Sequence, residues 1–177
     1  MYKKMLVLLD GSKMSEVVFS YARELAGRLG LDLYLLHVCT TVEAEQLPMR
    51  KAYIEHMAEQ LRAQSEVIRT ETGVAARGPL QATATVLVGY PAEEILKYAA
   101  DNDVDLIMLS THGRSGIRRW GLGGVADKVV HKAGIPAWIV PSHLHKGILY
   151  DELPQTSILA VSYTHLRAHE TVLDLVC

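Results

Sequence analysis

Hydrophobic and polar residues follow two patterns along the chain, one typical of buried strands and one typical of amphipathic helices. Met5 to Leu9 is a continuous apolar run, as expected for a strand buried on both faces of a parallel sheet. Further strands are predicted at 31–39, 82–88, 104–109 and 135–140. Segments with helical spacing separate them, at about 15–30, 50–72, from 91 onward and 124–133. The alternation predicts an α/β fold with a right-handed, doubly wound parallel sheet of five strands.

The predicted helix boundaries follow from capping and turn residues. Ser12 or Ser15 can cap the first helix, and Gly30 is expected to close it. Residues 40–49, which contain Pro48, are predicted to form a polar loop. The apolar face of the long second helix is assigned to Tyr53, Met57, Leu61 and Ile68.

Composition and charge narrow the class of protein. The 177 residues carry a formal net charge of −2 and are 49% hydrophobic and 6% aromatic. This balance gives no basis for general binding to nucleic acids or anionic membranes. No apolar run approaches the roughly 18–20 residues that a membrane span needs, and no secretory signal is recognisable. Two cysteines do not make a disulfide framework. We therefore expect a cytoplasmic protein without a nucleic-acid or membrane partner.

The most informative stretch lies between the fourth predicted strand and the helix after it. It reads Ser110-Thr111-His112-Gly113 and ends in Gly121-Leu122-Gly123-Gly124. Backbone N–H groups at a helix start lack internal acceptors, and small residues let a phosphate approach them closely. The stretch predicts a nucleotide site, which would lie at the carboxyl ends of the strands. An alternative is that it is only a connection, just as Asp10-Gly11-Ser12 could be only a turn and helix cap.

The sequence lacks the motifs of hydrolases with a nucleophilic serine and of proteins with a classical phosphate loop. No serine has glycines two residues to either side, as a nucleophile elbow requires, and the Gly-Lys-Ser/Thr ending of a classical phosphate loop is absent. No general base is evident opposite the glycine-rich stretch. We expect no enzymatic turnover beyond, at most, slow hydrolysis of a bound nucleotide. We also expect no protein-ligated metal, and a structural role for the histidine at position 37.

Residues 2–141 resemble the universal stress protein family. The nucleotide-binding branch of that family carries a G-x2-G-x9-G-[S/T] signature, which here reads Ser110-x2-Gly113-x9-Gly123-Gly124. The spacing is retained, whereas Ser110 replaces the first glycine and Gly124 replaces the final serine or threonine. The resemblance implies an adenine nucleotide α-hydrolase-like three-layer sandwich with strand order 3-2-1-4-5. It also implies binding of ATP together with Mg²⁺ held through the phosphates.

The resemblance also implies roles for individual residues. The adenine would be framed by Leu9, Asp10 and Val38. The ribose and first phosphates would lie along Ser110, His112 and Gly113, with Arg114 adding charge at the rim. The outer phosphates would meet backbone N–H groups of Gly123, Gly124, Val125 and Ala126.

The resemblance implies a role in stress response or signalling through a dimer or tandem pair that associates through strand 135–140. We expect the domain to span residues 1–142, followed by a linker at 143–157. Residues 158–160 resemble the start of the first strand and could begin a truncated second copy. Residues 161–171 match the translation of a transposase adapter used for sequencing libraries, so 161–177 are expected not to be native. The competing hypothesis is a dimerisation and signalling module whose nucleotide site has decayed.

Overall fold

The computed structural model describes residues 2–74, 78–111, 122–141 and 159–161. Five strands form a parallel sheet in the order β3-β2-β1-β4-β5, which confirms the predicted fold. Their bounds are β1 Lys4–Leu8, β2 Asp32–Cys39, β3 Ala82–Val88, β4 Leu106–Ser110 and β5 Ala137–Val140. A short strand, β6 (Leu159–Val161), pairs antiparallel with the outer edge of β5. That edge is therefore covered by a segment of the same chain.

In the described part of the chain, four helices cover the two faces of the sheet. Their bounds are α1 Val18–Leu29, α2 Leu47–Thr72, α3 Pro91–Asp101 and α4 Gly124–Lys132. The alternating side chains of β1 show how the layers are built. Met5 and Val7 pack with residues of α1 and α2, whereas Leu6 and Leu8 pack with residues of α3 and α4. Burial on both faces explains the continuous apolar run in the sequence.

The helix end that was predicted at a glycine is confirmed. The helix start predicted at a serine and the loop predicted around a proline differ from the structure. Gly30 closes α1 with a φ of 64°. However, α1 begins after Val17, without a side-chain cap, because Ser12 and Ser15 organise a separate turn before it. The predicted polar loop at 40–49 is a 3-10 helix (Thr41–Gln46) that leads into α2. Pro48 lies in the first turn of α2, where its missing N–H costs no intrahelical bond.

The buried face of α2 is offset from the predicted one. Its buried residues are Ile54, Ala58, Leu61 and Ser65, and they lie against α1 and the sheet. Tyr53 and Met57 lie at the margin of that core. Contact with α1 is close, because a Cβ on Gly27 would lie 2.7 Å from Ile68 and from the Ser65 carbonyl oxygen. The small residues Ala58 and Ser65 therefore belong to the interface, although hydrophobicity alone did not select them.

Candidate functional site

A cavity of about 480 Å³ lies at the carboxyl ends of β1, β2 and β4. It is the position where a doubly wound sheet binds ligands, since the chain leaves β1 and β4 toward opposite faces. The first residues of α3 and α4 complete the part of its lining that the structure describes. Aliphatic side chains dominate this lining, and its polar groups lie on two sides. One side belongs to the β1 and β2 loops and the other to the start of α4.

Eight of the predicted site residues line this cavity. They are Leu9, Asp10, Val38, Ser110, Gly123, Gly124, Val125 and Ala126. Three more, His112, Gly113 and Arg114, lie outside the described residues. The fold thus brings together the segments after β1, β2 and β4 that the sequence separates by up to 117 positions (Leu9 to Ala126).

Asp10 organises the loop after β1. Its Oδ1 accepts hydrogen bonds from the Ser12 hydroxyl at 2.6 Å and from the Ser12 N–H at 2.9 Å. The Asp10 N–H in turn donates to the Ser15 hydroxyl at 3.2 Å. Gly11 makes the turn with a φ of 78°. The carboxylate therefore has a local turn role in addition to its position on the cavity lining.

The start of α4 provides N–H groups at the opposite side of the cavity. Gly123 is the N-cap, with an extended backbone and no side-chain cap. Gly124, Val125 and Ala126 form the first turn, whose N–H groups cannot find acceptors four residues earlier within the helix. Such a turn attracts anions through its N–H groups and the helix dipole. Gly124 faces open space, because a Cβ added there would have no described atom within 4 Å.

The expected role of Gly123 differs from the observed one. Its N–H donates to the carbonyl oxygen of Thr111 at 2.8 Å, so this N–H is already used within the protein. The Gly123 carbonyl accepts from Asp127 at 2.8 Å as the first helical bond. Three consecutive donors, beginning at Gly124, are therefore offered to a ligand in this conformation.

Ser110 occupies the place of the first signature glycine. It is the last residue of β4 rather than the first of a loop, and it is 9% exposed. Its backbone lies within the ladder to β5, opposite Val140. The pairing of its backbone in the sheet therefore fixes the position of the Ser110 hydroxyl at the edge of the cavity.

Sequence reasoning missed several polar residues of the lining. Thr40 and Glu43 form one half of a capping box, in which Glu43 Oε2 accepts from the Thr40 N–H and hydroxyl, both at 3.0 Å. The T-x-x-E spacing could have revealed this pair. His37 also lines the cavity, although it is 2% exposed. Its Nδ1 lies 2.7 Å from the carbonyl oxygen of Leu9.

The charges of the described lining are acidic on the side of the β1 and β2 loops. Asp10 and Glu43 supply carboxylates, and none of the described lining residues is a lysine or arginine. Nearby, Tyr53 donates a 2.8 Å hydrogen bond to Glu16. Burial, this hydrogen bond and the negative charges of Glu16 and Asp10 raise the pKa of Tyr53, so its phenol remains protonated at neutral pH. The site therefore offers acceptors at one side and backbone donors at the other.

Neither a membrane span nor a metal-binding cluster occurs among the described residues. None of the described helices is both long enough and apolar enough to cross a bilayer. Within the same residues, no cluster of three or more histidine, cysteine, aspartate or glutamate side chains could hold a metal ion.

Comparison with solved structures supports the fold. A universal stress protein of Methanocaldococcus jannaschii matches with 27% identity and a TM-score of 0.56, over 80% of this chain and 96% of that chain. A universal stress protein in complex with cAMP matches with 19% identity and a TM-score of 0.56, over 80% and 98% of the respective chains.

Comparison with known sequences identifies the family. Universal stress protein YxiE of Bacillus subtilis is 32% identical over 147 residues, which cover 79% of this chain and 99% of the relative. A universal stress protein of Mycobacterium bovis is 30% identical over 132 residues, which cover 74% of this chain but 43% of the relative. Residues 1–141 match the model of the universal stress protein family. The chain belongs to the universal stress protein family.

Proposed function

We propose that this universal stress protein binds ATP, with Mg²⁺ held through the phosphates, in the cavity at the carboxyl ends of β1, β2 and β4. The observation that carries the proposal is the row of backbone donors at Gly124, Val125 and Ala126, which lines the cavity opposite Asp10 and Val38. Donors at a helix start suit the phosphates, whereas acceptors at the β1 loop suit an exocyclic amino group.

The carboxylates of the described lining favour a metal that arrives with the nucleotide. Asp10 is hydrogen-bonded to Ser12, and Glu43 to Thr40, and both lie on the adenine side rather than at the start of α4. Mg²⁺ commonly keeps its waters and bridges substrate phosphates instead of entering an all-protein cage. The chain's own part is then to bind and orient the phosphates.

Isothermal titration of the full chain tests the proposal, with Mg-ATP, Mg-ADP, AMP and cAMP as separate ligands. We expect saturable binding of Mg-ATP and a loss of affinity as phosphates are removed, since each removed phosphate forfeits contacts with the start of α4. Absence of heat and of any thermal shift with millimolar Mg-ATP would reject nucleotide binding. That result would favour the competing role as a dimerisation and signalling module.

We also propose that the β5 edge is where a second domain associates, as a dimer or within a tandem protein. The M. bovis relative is more than twice as long as the matched segment, which fits a tandem arrangement. In this chain β6 occupies the edge, in the segment that follows the proposed domain (1–142) and linker (143–157). Light scattering tests this by comparing the full chain with a chain that ends after residue 142. The shortened chain is expected to dimerise more readily. Equal masses at all concentrations would contradict it.

A further inference from the structure

The ladder between β1 and β2 ends one hydrogen bond earlier than its geometry allows. Its last paired residues are Leu8 and Leu36, and the Leu9 N–H still donates to the Leu36 carbonyl at 3.1 Å. In a regular parallel ladder the next bond would run from the Val38 N–H to the Leu9 carbonyl. That bond is not formed, and the pairing of the two strands stops at Leu8.

The imidazole of His37 takes the place of the missing bond. Its Nδ1 lies 2.7 Å from the Leu9 carbonyl oxygen, which can only accept, so Nδ1 carries the proton. The other ring nitrogen, Nε2, is buried and has no hydrogen-bond partner among the described residues. An unpaired buried acceptor is unfavourable, and native proteins contain few of them. A leucine here would avoid this cost, so the donor at Nδ1 needs an explanation beyond packing.

The contact between the imidazole and the Leu9 carbonyl affects the backbone N–H of Val38. Both backbone groups of Leu9 are satisfied, its N–H by Leu36 and its carbonyl by His37. The Val38 N–H is left pointing toward the β1 side of the ladder without the Leu9 carbonyl as acceptor. Val38 lines the cavity together with Leu9 and Asp10. A peptide donor without its ladder acceptor thus lies at the side of the cavity assigned to the base.

We propose that His37 is a positioning residue for base recognition, which holds the Leu9 carbonyl through Nδ1–H and so frees the Val38 N–H for a ring nitrogen of the base. This inference rests on the proposed binding of adenine nucleotides. Its structural part, the release of the Val38 amide, exists without nucleotide and can be measured separately.

Amide hydrogen exchange of the nucleotide-free chain tests the structural part. We expect the Val38 amide to exchange about tenfold faster than the Leu36 amide, because only the latter lies in the ladder. In His37→Leu the freed Leu9 carbonyl can accept from Val38, so exchange at Val38 should slow by about tenfold. Equal protection of Val38 and Leu36 in the unsubstituted chain would overturn the inference, whether or not ATP binds.

Nucleotide titrations test the functional part with three substitutions. His37→Leu should weaken Mg-ATP about tenfold, the effect of one lost hydrogen bond, and leave inorganic tripolyphosphate unchanged. His37→Asn places an amide nitrogen near the position of Nδ1 and should restore affinity to within about threefold. His37→Gln, whose amide reaches instead toward the position of Nε2, should behave like His37→Leu.

The outcomes separate this inference from the function on which it rests. If the unsubstituted chain fails to bind Mg-ATP, the proposed function fails, and the exchange experiment still decides whether His37 releases Val38. If His37→Leu lost equal affinity for ATP and for tripolyphosphate, the effect would be a general structural one, which would overturn the positioning role. If His37→Gln kept its affinity for Mg-ATP and His37→Asn did not, the contact would lie at Nε2, which would also overturn the positioning role.

Discussion

The N–H of Gly123 donates a 2.8 Å hydrogen bond to the carbonyl oxygen of Thr111. This bond joins the residue that follows β4 to the N-cap of α4. It also removes Gly123 from the set of available donors. Gly124 is therefore the first residue of α4 whose N–H remains available to a ligand, and its substitutions are the most informative.

Gly124→Ser should tighten the binding of Mg-ATP. The substitution restores the hydroxyl of the family signature, and no described atom lies within 4 Å of the added Cβ. One additional hydrogen bond contributes about 1 kcal/mol, so we expect roughly fivefold higher affinity by calorimetry. Unchanged or weaker binding would show that the hydroxyl finds no phosphate partner in this chain.

Gly11→Ala should weaken ATP binding as well as stability. Gly11 has a φ of 78°, and an added Cβ would lie 2.6 Å from Arg50 Nη1. The left-handed backbone costs an alanine roughly 1–2 kcal/mol, and this strain falls on the loop that carries Asp10, whereas the Arg50 side chain can move aside. Urea unfolding and ATP titration measure the two effects.

Gly134→Ala is the matched control for Gly11→Ala. Its φ of 63° carries similar strain, but its Cβ would meet nothing within 4 Å. We expect a similar loss of stability without a change in ATP affinity. An equal loss of affinity in both variants would show that the effect is global rather than local to the Asp10 loop.

Gly27→Ala should destabilise the packing of α1 against α2. The new Cβ would lie 2.7 Å from the Cβ of Ile68 and from the Ser65 backbone oxygen, so one helix must move. Overpacking of this kind costs roughly 1–3 kcal/mol and exceeds the gain in helix propensity of up to about 1 kcal/mol. Urea unfolding should show a lower midpoint for Gly27→Ala than for Gly124→Ala, whose Cβ is free. A midpoint equal to that control would contradict the close helix contact.

Asp105→Asn should lower the free energy of unfolding at neutral pH and should lower it much less at acidic pH. Asp105 Oδ2 accepts from the backbone N–H groups of Lys3 and Lys4 at 2.7 and 2.9 Å. Burial opposes ionisation, but these hydrogen bonds and the positive charges of the N-terminus and Lys3 outweigh it, and the pKa lies below its ordinary value of 3.8.

The sign of the pH dependence follows from the lowered pKa of Asp105. A carboxyl with a lower pKa in the folded state contributes stability above its unfolded pKa, and this contribution is lost as pH falls through the folded value. We expect a deficit of about 1 kcal/mol for Asp105→Asn at pH 7 and a smaller one at pH 3, from urea unfolding. A deficit that is constant between these pH values would exclude the ionised form as its source.

The fold was predictable because its signals are local. The apolar run of β1, with Gly30 as the end of α1, appears directly in the sequence. The start of α2 was not predictable from Pro48 alone, since proline fits both a loop and a first helical turn. The buried face of α2 includes Ala58 and Ser65, which close contact with α1 selects and hydrophobicity does not.

The site was predictable as a set of segments but not as a set of hydrogen bonds. Spacing around the glycines and the position of Asp10 after β1 indicated which loops meet. Two other features depend on contacts between distant parts of the chain, namely the Gly123 N–H bonded to Thr111 and the His37 imidazole bonded to Leu9. A histidine in an otherwise apolar strand gives no sequence signal for the backbone atom that it contacts.

The dissociation constant of Mg-ATP for Gly124→Pro, compared with Gly124→Ala, tests the central claim most directly. Proline fits this first helical position because Gly123 before it is extended, with φ −62° and ψ 153°, and the substitution removes one N–H donor. Alanine keeps the N–H and adds a Cβ in open space. Loss of a hydrogen bond to a charged phosphate should weaken the proline variant about 10- to 100-fold, with the alanine variant close to the unsubstituted chain. Equal affinities for proline and alanine would contradict phosphate binding at the start of α4.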